Sequence, residues 1–205
     1  MKRLAVVLSL SVAPLAPLAA LAAPTTWAID TSHTQSMFTV RHLVVSNVRG
    51  QFDSTTGSVT LDDKDVTKSS VEATIDAKTI NTRDAKRDEH LRGADFFDVA
   101  NHPTITFKST KVEKAGEDKL KVTGNLTMRG VTRPVVLDVE LPAATVKDPW
   151  GNTRKGFSAT TKVNRQDYGL KWSKAVEAGP VVGDEIKIEL EGELIQQAPK
   201  TSSAK

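Results

Sequence analysis

The sequence predicts an all-β protein: an antiparallel sheet of about eight strands that folds as a sandwich or closes into a barrel, with one short helix. Three observations lead to this prediction. Apolar and polar residues alternate with period two along most of the chain. Turn-forming residues separate the alternating segments. One charged stretch, residues 82–97, breaks the alternation and has the features of a helix.

The amino terminus resembles a secretory signal peptide over residues 1–22. Lys2 and Arg3 precede an apolar run, and residues 20–22 form a small-x-small cleavage pattern. Two prolines interrupt the run, so its unbroken part is shorter than the roughly 20 apolar residues that a membrane-spanning helix needs. We therefore expect cleavage after Ala22. The chain has no cysteine, which excludes a lipid-anchored cysteine, a disulfide and a thiolate nucleophile.

The charge balance argues against nucleic acid as a partner. The chain has 28 Lys+Arg and 25 Asp+Glu, and removal of the signal peptide takes away two basic residues, so the net charge falls from +3 to +1. The remaining charges alternate in sign and do not cluster. Residues 23–195 are long enough to bury a core as a single domain. Residues 196–205 lack large apolar side chains and are expected to form a disordered tail.

The alternating segments are expected to be strands. In the last of them Ile186, Ile188 and Leu190 lie on one side, and charged residues lie on the other. Gly192 interrupts the apolar side and predicts a bend or a bulge, while Pro142 predicts an edge, a bend or a strand end. The predicted strands cover residues 34–45, 48–61, 70–78, 103–113, 118–129, 132–146, 155–165 and 186–194.

The charged stretch is predicted to form a helix over residues 82–92. Asn81 is a favourable N-cap, Asp84 would be the third helical residue, and Gly93 is a stop signal. Pairs of opposite charge along this helix contribute only about 0.2–0.5 kcal/mol each, so packing must hold it in place. The apolar residues available to anchor the helix are Ile80, Leu91, Phe96 and Phe97.

The interior of such a barrel can be filled by side chains or can hold one small elongated ligand. The inward positions are mostly Val, Ile, Leu, Ala and Thr, with few large aromatic residues to fill the centre. This composition favours free space, but Val and Ile also form ordinary packed cores. From the pattern alone, an internal cavity and a filled barrel both stay open.

The charged stretch also contains residue types found in metal and general-base sites. His90 lies beside Asp88 and Glu89. Neighbouring arginines compete for these carboxylates and oppose a cation, and the chain has no HExxH motif or Asp-rich calcium loop. We therefore favour a solvated helix face with no metal.

The histidines nearer the amino terminus give no stronger signal. His33 and His42 would be about 30 Å apart on a straight strand, so they are not expected to share an ion. His42 is either a hydrogen-bonded core residue or a polar group near one end of the barrel. Neither a hydrolase nucleophile elbow nor a phosphate-binding loop is present.

Several ordered motifs together resemble the YceI-like family of bacterial exported proteins. They span nearly the whole mature chain, at residues 29–52, 79–98, 102–109, 124–139, 164–170 and 182–194. The resemblance implies an antiparallel lipocalin-like barrel that binds a long isoprenoid, either a polyprenyl or a quinone-type lipid. It also implies a location in the cell envelope and no established catalytic activity. With the signal peptide, this predicts a periplasmic protein.

The resulting prediction is a periplasmic binding or carrier protein, not an enzyme, with no cofactor other than the bound lipid. The helix would cap one end of the barrel. The apolar chain of the ligand would contact Phe38, Val40, Phe52, Ile75, Leu91, Phe96, Phe97, Phe107, Leu126, Met128, Leu137 and Phe157. Its headgroup would lie at the mouth beside Arg41, His42, Arg87 and His90.

We also expect a transient contact with the membrane or with a membrane protein, and a homodimer. Two alternatives stay open: an envelope enzyme that uses His90, His42 and nearby carboxylates on a small molecule, and a structural stress protein with a filled barrel.

Overall fold

The computed structural model describes residues 23–176 and 179–198. The predicted signal peptide and the residues after 198 lie outside this part of the chain. Gln196, which the sequence assigns to the tail, is the last residue of the final strand. Among the described residues, no helix is long and apolar enough to cross a membrane.

Strands dominate the described part of the chain. They are β1 Thr25–Ile29, β2 Gln35–His42, β3 Ser46–Phe52, β4 Thr55–Leu61, β5 Ser70–Asp76, β6 Ile80–Asn81, β7 Thr104–Lys114, β8 Lys119–Met128, β9 Val131–Glu140, β10 Val146–Lys147, β11 Thr153–Asn164, β12 Ala175–Val176, β13 Gly179–Pro180 and β14 Val182–Gln196. One α-helix, α1, covers Ala85–Arg92. Short 3-10 turns cover Thr31–His33, Val66–Lys68, Ala77–Thr79 and Arg165–Tyr168.

The strands close into an antiparallel barrel of eight strands, which confirms the predicted fold class. Around the barrel the order is β11, β9, β8, β7, β5, β4, β1 and β14, and β14 pairs back to β11. Three of these positions are occupied by interrupted strands. β1 and β2 both pair with β14, so they share one position, and β4 and β3, which pair with β1 and β2, share the next. β6 pairs with β3 and shares the third position with β5. Alternating burial along β8 shows the inward face clearly.

The interruptions account for most differences from the predicted strands. The segment predicted as one strand over 48–61 is β3 and β4, separated by two residues. The segment predicted over 132–146 ends at Glu140, shortly before Pro142, as expected for a proline. The prediction missed β1, β6 and the short β12–β13 hairpin. Each of these strands has five residues or fewer, too short for a clear period-two signal.

Gly192 allows two strands to approach closely where β1 passes into β2. The register between β11 and β14 is regular at Gly192, so no bulge lies on that side, whereas on the other side the partner of β14 changes from β1 to β2 around this residue. The predicted bend stays a prediction. A Cβ atom at residue 192 would collide with the side chain of Thr34. The glycine therefore provides the space that Thr34 occupies.

Antiparallel pairing gives the barrel two distinct ends. The cap end contains the β2–β3 turn, α1 and the loop after it, the β8–β9 turn and residues 165–176 and 179–181. The opposite end contains the loops at residues 62–69, 115–118 and 141–152.

Candidate ligand-binding cavity

The barrel contains an internal cavity of about 240 Å³. Inward-facing residues from all eight barrel positions line it, and its wall is almost entirely apolar. Polar cavities usually hold ordered water, whereas cavities lined by aliphatic and aromatic groups stay dry and accept apolar molecules. The cavity therefore suits a hydrocarbon better than a polar ligand.

The twelve apolar residues predicted to contact the ligand all lie in the wall of this cavity. The structure brings together Phe38, Val40, Phe52, Ile75, Leu91, Phe96, Phe97, Phe107, Leu126, Met128, Leu137 and Phe157. For the nine of them that lie on strands this position follows from the period-two pattern, because alternate residues of each strand face the barrel axis, whereas Leu91, Phe96 and Phe97 reach the wall from the cap. Their contact with a ligand stays a prediction.

Aromatic side chains close the cavity at the cap end. The ring centroids of Phe38 and Phe52 are 5.8 Å apart, and those of Phe52 and Phe97 are 5.5 Å apart in an edge-to-face arrangement. The rings of Phe96 and Trp172 are 5.3 Å apart. Such pairs add about 0.5–1.5 kcal/mol each beyond the burial of their area, so the cap is packed against the barrel.

Helix α1 exists at the cap end, but it begins three residues later than predicted. Its N-cap is Asp84, not Asn81, because the Asp84 carboxylate accepts from the backbone N–H groups of Lys86 and Arg87 at 3.1 and 3.0 Å. Arg83, immediately before the cap, has a left-handed backbone with φ of 64°. Gly93 ends the helix as predicted, in an extended conformation.

A buried carboxylate fixes the start of the cap. Asp88 is 7% exposed and accepts from the backbone N–H and the hydroxyl of Thr82 at 2.8 and 2.5 Å. Arg87 Nε donates to Thr82 Oγ1 and Arg87 Nη2 donates to Thr82 O, both at 2.7 Å. Arg87 is therefore used to hold the chain before the helix, and it does not line the cavity.

His90 lies on the outer side of the cap and outside the cavity wall. Its Nε2 atom is 3.0 Å from Asp95 Oδ2, and its ring packs edge-to-face on Phe96 and Trp172 at centroid distances of 5.0 and 5.4 Å. The side chain is 44% exposed. This supports the interpretation of a solvated helix face, with His90 as a hydrogen-bonding residue.

Arg41 and His42 lie at the β2–β3 turn, apart from Arg87 and His90 on the cap. Arg41 donates from Nε and Nη2 to the carbonyl oxygen of Val44 at 3.0 and 2.7 Å. His42 ends β2 and is half-buried. The four predicted headgroup residues thus lie on two different elements of the cap end. Their contact with a headgroup stays a prediction.

Arg165 is a charged residue in the cavity wall that the sequence interpretation missed. Its side chain is 3% exposed, and no other ionisable residue of the described chain lines the cavity. Its five N–H donors bind the carbonyl oxygens of Gly183, Leu170, Trp172 and Val182 and the carboxylate of Asp184. The alternation of Ala159, Thr161 and Val163 toward the interior could have predicted its inward position.

Arg129 joins two other parts of the cap end. Its Nη1 atom donates to Gly169 O at 2.6 Å, and its Nη2 atom donates to Ala94 O at 2.7 Å. Tyr168, beside Gly169, is 2% exposed, and burial raises the pKa of its hydroxyl to about 12. Tyr168 is therefore neutral at physiological pH.

Three hydroxyl side chains interrupt the apolar wall where β1 passes into β2. Ser36 Oγ and Thr55 Oγ1 are 2.7 Å apart and form a buried hydrogen bond. Thr34 is 6% exposed, and within the described chain its hydroxyl oxygen has no hydrogen-bond partner. Thr34 is thus a polar residue in an almost wholly apolar wall.

A cluster with metal-ligand chemistry lies outside the cavity wall. Asp30, His33 and Glu193 place one ligand atom each within 4.8 Å of the others. Arg154 Nη1 lies 2.5 Å from Asp30 Oδ2 and 2.8 Å from Glu193 Oε2. The guanidinium already supplies the positive charge that these carboxylates require, so the cluster is better described as an ion-pair network.

The same network lowers the pKa values of two carboxyl groups. Hydrogen bonds from Ser32, Arg154 and His33 hold the pKa of Asp30 well below its usual range, although burial opposes this. Burial would raise the pKa of Asp148, but hydrogen bonds from Arg154 and Asn152 outweigh it and lower the pKa to about 2. Both groups are charged at physiological pH and hold the arginine in place.

The fold and cavity together define a lipocalin-like protein: a closed antiparallel barrel with an apolar interior and a capped end. Within that class, the chain belongs to the YceI-like family, because the profile of the YceI-like domain matches residues 27–194.

Individual proteins agree with this assignment. A UPF0312 protein of Vibrio parahaemolyticus is 36% identical over 193 residues, covering 93% of this chain and 96% of its own length. The structure of BcnA from Burkholderia cenocepacia has a TM-score of 0.70 at 21% identity, covering 82% of this chain and 99% of BcnA. A polyisoprenoid binding domain from Saccharophagus degradans has a TM-score of 0.62 at 14% identity, covering 83% and 98%.

Proposed function

We propose that this protein binds a long isoprenoid lipid, of the polyprenyl or quinone type, inside the barrel and carries it in the periplasm. The observation that carries the proposal is the cavity inside the barrel, whose wall is almost entirely apolar. The structural likeness to a polyisoprenoid binding domain from Saccharophagus degradans supports the choice of ligand. The signal-peptide pattern of residues 1–22 supports the compartment.

Apolar burial supplies enough free energy for tight binding. Each buried CH₂ group contributes about 0.8 kcal/mol. Each isoprene unit that the cavity encloses has five carbon atoms and would therefore contribute about 4 kcal/mol before the cost of ordering the chain is subtracted. The ligand needs no strong polar contact inside the barrel.

The polar groups of the wall favour a tail inside and a headgroup outside. Arg165 uses its five donors on protein acceptors, so it has none left for a phosphate or a carbonyl. The four predicted headgroup residues, Arg41, His42, Arg87 and His90, all lie outside the wall at the cap end. We propose that the headgroup lies at the cap end, outside the cavity wall.

The chemistry of the wall also favours binding over catalysis. No histidine or carboxylate of the described chain lines the cavity. A general acid or base must reach the reacting atom within about 2.6–3.2 Å or through one water. A lipid tail inside the barrel would contact no such group, so the proposal assigns no reaction to this site.

Extraction of the purified protein tests the proposal. Protein isolated from the periplasm of cells that express the full chain would be extracted with organic solvent and analysed by mass spectrometry. We expect a near-stoichiometric isoprenoid whose mass gives its chain length and headgroup. A protein that contains no lipid and takes up no added polyprenyl lipid would contradict the proposal and favour the filled barrel.

A matched pair of variants on β11 sharpens the test. Ala159 faces the cavity, and its neighbour Thr160 faces outward and is exposed. Ala159→Phe fills part of the cavity and should leave only a small fraction of the lipid bound, whereas Thr160→Phe should retain it. Thermal unfolding of both variants shows whether the barrel stays folded. Equal lipid content in the two folded variants would place the lipid outside the cavity.

A further inference from the structure

Two hairpins at the cap end expose apolar side chains that the cavity does not use. The β2–β3 turn presents Val44 and Val45, which are 47% and 74% exposed, and the β12–β13 hairpin presents Val176, which is 47% exposed. The hairpins are neighbours, because Val44 Cγ2 packs close to Gly179. Exposed apolar side chains on two neighbouring hairpins make this surface a candidate for an interaction.

The β2–β3 turn has a backbone conformation that its residues do not favour. Val45 N donates to His42 O at 3.1 Å, and the two central residues, Leu43 and Val44, have φ of 50° and 62°. This is the mirror-image type I′ turn, in which Asn and Gly are strongly preferred. A β-branched residue with positive φ is strained, and such strain is often associated with function.

Hydrogen bonds hold this turn in place. Arg41 donates twice to Val44 O, and Leu43 N donates to Val181 O at 2.9 Å. The valines are therefore presented by a fixed turn, which reduces the entropy that docking would cost.

Basic residues outnumber acidic residues in the two segments that carry these valines. The segments 41–49 and 171–180 contain four basic residues and one acidic residue, Glu177. The four basic side chains are exposed, and they belong to Arg41, Arg49, Lys171 and Lys174.

The rest of the molecule does not share this charge. Residues 82–98 of the cap have four basic and five acidic residues and are nearly balanced. The three loops of the opposite end, 62–69, 115–118 and 141–152, have six acidic and three basic residues. Exposed apolar side chains thus coincide with an excess of basic residues at the two hairpins, although Asp184 and Glu185 follow Val182, the β14 partner of His42.

We propose that the two hairpins dock the cap end onto an anionic phospholipid bilayer. Val44, Val45 and Val176 enter the boundary of the acyl chains, and the basic side chains contact lipid phosphates. The inference rests on the proposed function, because a long isoprenoid resides in a bilayer and must leave it to enter the barrel. Docking at this end places Leu91, Phe96 and the rest of the capped cavity wall next to the lipid source.

Vesicle flotation tests the docking. The full mature protein would be mixed with vesicles of equal parts phosphatidylethanolamine and phosphatidylglycerol, or with vesicles of phosphatidylcholine. We expect flotation with the anionic vesicles, loss of flotation as salt rises, and little binding to phosphatidylcholine.

Two double variants separate the apolar and the charged contributions. Val44→Gly/Val45→Ser should weaken binding at least about tenfold by removing the apolar contacts. It should not lower the midpoint of thermal unfolding, since glycine adopts positive φ freely. Lys171→Ala/Lys174→Ala should weaken binding about tenfold at low salt.

Trp150 at the opposite end provides the control. It is 80% exposed, so Trp150→Ala removes a large apolar side chain from a surface that the proposal leaves in solvent. We expect unchanged flotation. Loss of binding in this variant, wild-type binding by Val44→Gly/Val45→Ser, or no binding of the wild type to anionic vesicles would each overturn the proposal. A dimer that the valine variant abolishes, without vesicle binding, would assign the hairpins to self-association and also overturn it.

Flotation and lipid extraction have separate outcomes. Protein that floats but yields no isoprenoid would contradict the proposed function and leave the docking surface supported. Protein that yields a stoichiometric isoprenoid but does not float would contradict only the docking.

Discussion

The two ends of the barrel are held by arginines that bind different acceptors. At the cap end, Arg92, Arg129 and Arg165 donate mainly to backbone carbonyl oxygens. At the opposite end of β11, Arg154 binds the carboxylates of Asp30, Asp148 and Glu193. Carbonyl oxygens do not titrate and carboxylates do, so the two ends should respond differently to pH.

This difference fits the roles proposed for the ends. The carbonyl acceptors of Arg92, Arg129 and Arg165 do not titrate, so we expect these contacts of the cap to persist over a range of pH, whereas the Asp88 carboxylate at the start of the cap can titrate. The ion-pair network joins the β10–β11 hairpin to β1 and β14, away from the cap. Closure of the cavity and attachment of the hairpin therefore rest on separate interactions, which substitutions can test one at a time.

The largest expected effect follows removal of the Arg165 side chain. Arg165→Met keeps an unbranched chain but leaves the carbonyl oxygens of Gly183, Leu170, Trp172 and Val182 without this donor. Each buried polar group left unpaired costs about 1–3 kcal/mol, so we expect the free energy of unfolding to fall by at least about 3 kcal/mol. Urea denaturation measures it.

The control for Arg165 is an exposed arginine. Arg133→Met on β9 should change the free energy of unfolding by no more than about 0.5 kcal/mol. The loss in Arg165→Met should be similar at pH 7 and pH 4, because four of its five acceptors are carbonyl oxygens. A loss below about 1 kcal/mol would mean that water replaces the arginine and that it does not secure the cap.

A smaller, pH-dependent effect is expected for Asp148 in the network at the opposite end. Its pKa is lowered from 3.8 to about 2 in the folded protein, so its carboxylate stabilises the fold above pH about 4, and this contribution is lost as pH falls toward 2. Asp148→Asn keeps an oxygen acceptor for the loop but removes the charge beside Arg154. We expect it to be less stable than the wild type at pH 7 and equally stable near pH 2.

Thermal unfolding between pH 2 and pH 7 measures this difference. Asp138→Asn provides the control, because Asp138 forms an exposed pair with Lys121 on the barrel surface. Exposed pairs contribute little, so this variant should follow the wild type at every pH. A difference between Asp148→Asn and the wild type that stays constant with pH would show that the charge of Asp148 is not the source of its effect.

The fold could be predicted because it depends on a repeating pattern. Eight predicted strands correspond to the eight barrel positions, since period-two alternation is required wherever one face of a sheet is buried. The pattern could not show that 48–61 is interrupted, because the break near Ser54 depends on hydrogen bonds to Asp76 and Thr31 in other segments. The start of α1 was misplaced because Asp84, not Asn81, turned out to be the cap.

The candidate site likewise has one part that the sequence predicts and one part that it does not. Its apolar wall was predictable, since alternation alone places Phe38, Phe107 and Phe157 inside. The hydrogen-bond partners of the polar residues were not predictable, even where alternation indicates an inward position as for Arg165, because each partner lies far along the chain or across the cap. Arg165 binds residues up to 19 positions away, and Arg92 binds the carbonyl oxygens of Lys78 and Ile80. Charged residue types suggested headgroup contacts at Arg87 that the structure uses to hold Thr82.

The smallest expected effect lies between the two ends, at Thr34. Its hydroxyl is buried in the cavity wall without a partner in the described chain, so it carries the cost of lost hydration with no hydrogen bond in return. Thr34→Val replaces the hydroxyl by a methyl group of similar size. We expect the free energy of unfolding to rise by about 1 kcal/mol, measured by urea denaturation.

A substitution of Ser36 in the same wall provides the comparison for Thr34→Val. Ser36→Ala removes one partner of the Ser36–Thr55 hydrogen bond and leaves Thr55 Oγ1 unpaired, so this variant should lose about 1–2 kcal/mol. Opposite signs for the two substitutions would show that the wall favours apolar groups wherever a hydroxyl is unpaired. A loss of stability in Thr34→Val would instead reveal a partner for that hydroxyl, such as an ordered water or a polar atom of the bound lipid, and extraction of lipid-free and lipid-loaded protein would distinguish the two.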